Sequence, residues 1–103
     1  MKKIEATINA SSIEEVKNAL TKIGIRRMKI SRIDVVGSQQ GHKEIYKSDE
    51  YMIDAVKEFN IELIVATDMM LTKVIHTIKK NAKKIGAGEE EIFVSPVDEV
   101  IPV

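Results

Sequence analysis

A glycine pair near the C-terminus has the residue types and spacing of a phosphate-binding turn. Gly86 and Gly88 follow Lys84, so successive backbone N–H groups could converge on a phosphate while the lysine adds positive charge. An ordinary helix-to-strand turn is the alternative, because it also uses glycine for a positive φ. Glutamates at 89–91 disfavour a polyphosphate, since one anionic pair at about 4 Å costs on the order of 4 kcal/mol at an effective dielectric constant of about 20.

Two further side chains have the polarity to hold a ligand that carries both donors and acceptors. Gln39 offers an amide donor and an acceptor, and Glu62 can accept hydrogen bonds. The alternatives are a solvated loop for Gln39 and a surface ion pair with a neighbouring lysine for Glu62. Tyr46 and Tyr51 lie in a polar stretch, where an amphipathic ring suits contact with a partner.

The composition indicates one small domain without thiol chemistry. The 103 residues are 44% hydrophobic and include no cysteine, which suits a single core over residues 1–103 and excludes disulfides and thiolate catalysis. Lysine plus arginine number 16 against 16 acidic residues, so no overall field attracts nucleic acid or an anionic membrane. No apolar run approaches the roughly 20 residues of a membrane span, and we expect a cytoplasmic protein. His42 and His76 are too far apart to suggest a metal site, and we predict no catalytic or metal-binding residue.

The apolar periodicity predicts the element order βαββαβ. Ser12 begins a sequence with capping-box spacing before the first helix, Gly24 stops that helix, and Asp68 can cap the second. A slip in the apolar phase predicts a bulge near Ser31. The exposed face of the second helix carries Lys73, His76, Lys80 and Lys83. The predicted strands are Lys2 to Ile8, residues 26–37, Ile61 to Ala66, and Ile92 to Val97.

Two strand-helix-strand halves predict an α+β, ferredoxin-like sandwich with an antiparallel sheet and both helices on one face. About twenty residues between the second and third strands form a long loop, which is usual for functional or disordered segments. The apolar strand residues exceed what we expect two helices to cover, so part of them should pack against other subunits. These residues are Ile4, Ala6, Ile8, Ile61, Leu63 and Val65.

Six segments share the pattern of one known family, with unbroken spacing from Met1 to about Met70 and an insertion at 89–91: Met1–Ala6, Glu15–Leu20, Gly41–Tyr46, Glu50–Asp54, Lys84–Gly88 and Ile92–Val97. Over essentially its whole length the chain resembles the PII signalling proteins. The resemblance implies a regulator rather than an enzyme, built as a homotrimer. Its intersubunit clefts would bind adenine nucleotides, with 2-oxoglutarate joining Mg-ATP.

The resemblance also implies roles for particular residues. A T-loop at about 37–56 would bind a transporter or a nitrogen-metabolism enzyme, and Tyr51 is a possible modification site. The implied partner-binding residues are Tyr46, Lys47, Glu50 and Tyr51. The implied nucleotide-binding residues are Gly37, Ser38, Gln39, Glu62, Lys84, Gly86 and Gly88.

Departures from the family pattern change the expected ligand. Ser38 replaces an arginine, and Glu58 and Glu89 each replace a lysine, so cations that would neutralise a triphosphate or 2-oxoglutarate are missing. We therefore expect ADP or AMP to bind in preference to ATP, and 2-oxoglutarate to have no effect. Lys47 stands where many members have an arginine that enters a transporter pore, and a lysine lacks the planar fork of arginine.

Two other functions fit the same residues. The first is a constitutive trimeric interaction module that no longer binds nucleotide. The second is a small acylphosphatase-like hydrolase of ferredoxin fold that uses Asn9 with Arg26 or Arg27, although it would lack a glycine-rich phosphate cradle after the first strand.

Overall fold

The computed structural model describes residues 1–35, 56–82 and 90–103. Their order is βαββαβ, as the periodicity predicts. The elements are β1 (Lys2–Asn9), α1 (Ile13–Lys22), β2 (Lys29–Val35), β3 (Val56–Val65), α2 (Asp68–Asn81) and β4 (Ile92–Pro96).

The four strands form one sheet in the order β2-β3-β1-β4, and every neighbouring pair is antiparallel. On the central pair, Ile4 lies opposite Leu63 and Ala6 opposite Ile61. Strand β4 pairs with β1, and the amide of Val97 continues this pairing by donating to the carbonyl of Met1 at 3.0 Å. This arrangement is the predicted α+β, ferredoxin-like sandwich.

The chain's own helices cover the apolar residues of the two central strands. All six strand residues for which we expected too little helix cover are at most 4% exposed. They pack with Val16 and Leu20 of α1 and with Val74 and Ile78 of α2. The expectation that part of this set faces other subunits is therefore wrong. Antiparallel pairing puts alternate residues of β1 and β3 on one face, and two helices are wide enough to cover two strands.

The opposite face of the sheet is mostly polar and carries no helix among the described residues. Lys3, Glu5 and Glu62 lie on this face, because they alternate with the buried residues of β1 and β3. Its exposed apolar side chains include Ile64, at 45%, and Phe93, at 56%. We call this surface the open sheet face.

Thr67, rather than the predicted Asp68, is the N-cap of α2. The Oγ1 of Thr67 accepts a hydrogen bond from the amide of Met70 at 3.1 Å, and Asp68 is the first helical residue. Helix α1 starts after Ser12 as predicted, but the Ser12 side chain makes no capping bond to the helix. The backbone of Ser12 is near the helical region, with φ −111° and ψ −4°, whereas a capping side chain needs extended backbone at that position.

Strand β2 has no bulge near Ser31. Its register with β3 runs one residue to one from Lys29 opposite Glu62 to Val35 opposite Val56. The apolar residues of β2 change from one face to the other because β2 is an edge strand. Its side chains are less buried than those of the central strands, and Ile30 is 37% exposed. Gly24, at φ 104°, ends α1 as expected.

Candidate functional site

A pocket of about 420 Å³ lies on the open sheet face, where β2, β3 and the C-terminal segment approach one another. It contains Glu62, one of the residues predicted to contact a ligand. Its lining residues are Lys3, Arg27, Lys29, Glu62, Leu63, Ile64 and Val100.

Strand register brings the charges of this pocket together. Lys29 of β2 and Glu5 of β1 are both directly opposite Glu62 of β3, so the three residues form one row across the sheet. Lys3 is diagonal to Glu62, and its Nζ lies 2.8 Å from the Oε2 of Glu62. Long side chains reach diagonal neighbours in an antiparallel pair, which explains how Lys3 forms this bond.

The ion pair favours the charged form of both partners. The hydrogen bond from Lys3 is the main cause that lowers the pKa of Glu62. Burial, the next cause in size, opposes it, and the charges of Lys3 and Lys29 lower the pKa further. The hydrogen bond to Glu62 raises the pKa of Lys3, and the charges of Glu62 and Glu5 contribute. At neutral pH the pocket therefore holds an ionised carboxylate that can only accept hydrogen bonds.

The lining has an excess of two positive charges, from three cationic side chains and one carboxylate. Glu62 neutralises Lys3, and Arg27 and Lys29 are exposed without a carboxylate in ion-pair distance among the described residues. The guanidinium of Arg27 can bind a phosphate or carboxylate in a bidentate manner. The pocket can thus hold an anionic group near Arg27 and Lys29 and a hydrogen-bond donor of the same ligand near Glu62.

Comparison with known proteins identifies the family. The family model described as "Nitrogen regulatory protein P-II" matches residues 1–103. Proteins with that description are 41% identical in Porphyra purpurea, 40% in Pyropia yezoensis and 37% in Azospirillum brasilense. In each case the match covers 100% of this chain and 91% of the relative. The chain belongs to the P-II family.

The resemblance to PII proteins is therefore confirmed, and with it a regulatory signalling role rather than that of an enzyme. Proteins of the P-II family bind adenine nucleotides, and their regulatory role implies target proteins. Within the described residues, no helix is both long and apolar enough to cross a membrane. The same residues contain no cluster of three or more His, Cys, Asp or Glu side chains that could hold a metal ion.

In this P-II protein, Glu62 makes the lysine ion pair that we considered as the alternative to a ligand contact. The ion pair and a ligand contact are compatible, because the Glu62 carboxylate that pairs with Lys3 also lines the pocket. Glu58, which replaces a lysine of the family pattern, lies in β3 on the same face and is 3% exposed. Glu58 lies four positions along the strand from Glu62, or about 13 Å.

Sequence reasoning missed Lys3 and Lys29 as pocket residues and considered Arg27 only for a hydrolase. The available signal was the charge at every second position, with Arg27 and Lys29 flanking Met28 on the way into β2. Such alternation places both cations on the polar face of a strand. Which other strands share that face depends on pairing, so the signal alone could not identify Lys3 as their neighbour.

The remaining predicted site residues of both groups lie outside the described residues, and their roles stay predictions. For the nucleotide they are Gly37, Ser38, Gln39, Lys84, Gly86 and Gly88, and for the T-loop they are Tyr46, Lys47, Glu50 and Tyr51.

A second cavity of about 470 Å³ lies between α2 and the strands β1 and β4. Its lining is mainly apolar, from residues such as Ile8, Ile78 and Ile92. The charged groups are Lys79, Glu90 and Glu91, so acidic side chains outnumber basic ones there. This cavity suits an anionic ligand less well than the pocket beside Glu62.

Proposed function

We propose that the protein is a homotrimeric P-II regulator that binds adenine nucleotides at the Glu62 pocket and target proteins through residues 37–56. The observation that supports nucleotide binding is the exposed pair Arg27 and Lys29 beside an ionised Glu62. An adenosine phosphate has both complementary parts: amino and hydroxyl donors for the carboxylate, and phosphate oxygens for the two cations.

The charge of the pocket supports AMP or ADP over ATP. A phosphate monoester carries about −1.5 to −2 charges near neutral pH, which matches the excess of two positive charges in the lining. Each further phosphate adds negative charge without a described cation to meet it. Glu58 and Glu89 stand where the family pattern has lysines, and the loss of these cations is our reason to expect no effect of 2-oxoglutarate.

Target binding is the output of the proposed regulator. In this proposal Tyr46, Lys47, Glu50 and Tyr51 contact a membrane transporter or an enzyme of nitrogen metabolism. The protein would act in the cytoplasm, where metabolites and the inner side of a transporter are both accessible. Membership of the P-II family, whose relatives are described as nitrogen regulatory proteins, supports this role.

The trimer and the single domain over residues 1–103 are parts of the same proposal. The family match extends over all 103 residues, which supports one domain. The open sheet face supports association, because Ile64 and Phe93 are exposed on a sheet surface that no described helix covers. Burial of such side chains against another subunit is favourable.

Calorimetric titration with AMP, ADP and ATP tests the nucleotide proposal. We expect AMP and ADP to bind at least as well as ATP, and Arg27→Ala with Lys29→Ala to weaken binding by about tenfold through loss of charge-assisted hydrogen bonds. Arg26→Ala is the matched control, because Arg26 is exposed and does not line the pocket. Submicromolar ATP binding that 2-oxoglutarate strengthens would contradict the proposed ligand order.

The second candidate function is a constitutive trimeric interaction module without a nucleotide. The Lys3–Glu62 ion pair favours it, since the carboxylate already has a partner. This candidate would be supported if the titrations with AMP, ADP and ATP gave no heat of binding and if none of these nucleotides altered target binding. The hydrolase alternative is set aside because the family consists of signalling proteins.

A further inference from the structure

One side of helix α2 carries a narrow exposed stripe that the proposed function does not use. Met69, Lys73, His76 and Lys80 are all exposed. At about 100° per residue they lie within about 60° of one another around the helix, and they extend over about 16 Å of its length. We call these four residues the α2 stripe.

The core determines the orientation of the stripe. Val74 and Ile78 are buried on the other side of the helix, so α2 cannot rotate the stripe inward without exposing them. The only acidic residue of the helix, Asp68, lies in the first turn and about 100° away from Met69. The charge on the outer side of α2 is therefore positive only, and the core holds the helix in this orientation.

The lysines of the stripe have no ionic partner among the described residues. The ion pairs there are Lys3 with Glu62 and Lys17 with Glu14. The helix dipole accounts for a cation in the last turn, such as Lys80. It does not account for Lys73 in the middle of the helix, nor for Met69, which is 77% exposed at the other end.

The geometry points to an acidic helix of a partner protein as the occupant: we propose that the α2 stripe is its docking surface. Lys73 and Lys80 are seven residues, or two turns, apart, so a helix lying alongside can present carboxylates at the same interval. An apolar side chain one turn further along that helix would contact Met69, whose thioether adapts to varied surfaces.

Other occupants fit the observations less well. Binding to an anionic membrane surface usually involves four to eight clustered lysines or arginines, and the described stripe has two. Nucleic acid is disfavoured because the chain has no net positive charge. A partner helix needs only a few matched charges and one apolar contact, which is what the stripe offers.

A synthetic helical peptide tests this surface. Its leucine and three glutamates repeat the spacing of Met69, Lys73, His76 and Lys80, and a second peptide of equal composition distributes the glutamates around the helix. Fluorescence anisotropy with the full chain should show saturable binding of the first peptide and weaker binding of the second. Lys73→Glu with Lys80→Glu should reduce the affinity by about tenfold, because two attractive pairs become repulsive.

Lys22→Glu with Arg26→Glu is the matched control, since both side chains are exposed and lie outside α2. It reverses the same number of charges and should change the affinity less than about twofold. Amide shifts of the unmodified protein, mapped by NMR, should change along α2 and thus test the surface without any variant. The proposal would be overturned if the first peptide failed to bind, if both peptides bound equally, or if the two double variants lost affinity equally. Binding of the protein only to phosphatidylserine vesicles, and not to the peptide, would also overturn it.

Discussion

Lys3 of β1 forms its 2.8 Å ion pair with Glu62 of β3 diagonally across the sheet, whereas the β1 residue directly opposite Glu62 is Glu5. Like charges directly opposite each other destabilise an antiparallel pair. Lys3, together with Lys29 on the other side of Glu62, offsets that repulsion. The same cations make the pocket suitable for an anion.

Removal of the Lys3 side chain should raise the pKa of Glu62. Lys3→Ala deletes the hydrogen bond that is the main cause of the lowered value and leaves Glu62 opposite Glu5. A carboxyl-detected NMR titration of the variant and the unmodified protein measures the change. Lys17→Ala breaks a second ion pair of the described residues, with Glu14 on α1, and should leave the Glu62 titration unaltered. An unchanged Glu62 pKa in Lys3→Ala would contradict the Lys3 hydrogen bond as the main cause of the lowered value.

The stability that Glu62 contributes should depend on pH in a defined direction. Because folding lowers the pKa of Glu62 from an ordinary value of 4.5, its contribution is present above that value and is lost as the pH falls through the lower folded pKa. Folding raises the pKa of Lys3 from 10.5, so the contribution of Lys3 is present below that value and is lost as the pH rises through the higher folded pKa.

Urea denaturation of the unmodified protein and of Glu62→Gln measures the acid side. The difference in unfolding free energy between the unmodified protein and Glu62→Gln should be largest between pH 4.5 and pH 10.5, the ordinary pKa values of Glu62 and Lys3. It should shrink as the pH falls below 4.5. A difference that grows as the pH falls would contradict the assigned direction.

Substitution of Ile61 should destabilise the individual chain rather than only an assembly. Ile61 is 0% exposed within one chain and packs in the core between sheet and helices. Ile61→Ala should therefore reduce the unfolding free energy by about 2–5 kcal/mol, and Ile61→Asp should prevent folding. Ile64→Ala, on the open sheet face and 45% exposed, is the control and should cost less. Denaturation monitored by circular dichroism, with sedimentation for the assembly, separates the two effects.

Thr67 should contribute to stability through its capping bond. Thr67→Ala removes the acceptor for the Met70 amide and should cost about 1 kcal/mol of unfolding free energy. Thr72→Ala makes the same chemical change at an exposed position inside the same helix, where alanine has the higher helix propensity. We expect Thr72→Ala to be neutral or slightly stabilising in the same thermal or urea experiment. Equal losses in both variants would mean that the cap is unimportant.

Local patterns were sufficient to predict the framework. Alternation along β1 identified Ile4, Ala6 and Ile8 as one face, and Gly24 correctly marked the end of α1. Such signals depend only on near neighbours, because strand and helix periods are properties of a single segment. The P-II family was recognisable for a similar reason, since its pattern extends along the whole chain.

Details that depend on competition between neighbouring groups were predicted less well. Thr67 and Asp68 both have capping side chains, and the extended backbone of Thr67 is what lets its hydroxyl reach the Met70 amide. The apolar slip near Ser31 resembled a bulge, but an edge strand tolerates exposed apolar residues on either face and keeps its register.

The sequence by itself determined the element order, the core faces and the family, whereas only the tertiary structure decided which charges meet. Lys3, Arg27, Glu62 and Val100 are far apart along the chain and line one pocket. Their meeting depends on the order and register of three strands, and a shift of one residue would move every side chain of a strand to the other face. The same pairing showed that two helices cover both central strands. Register is a relation between distant segments, so no local pattern specifies it.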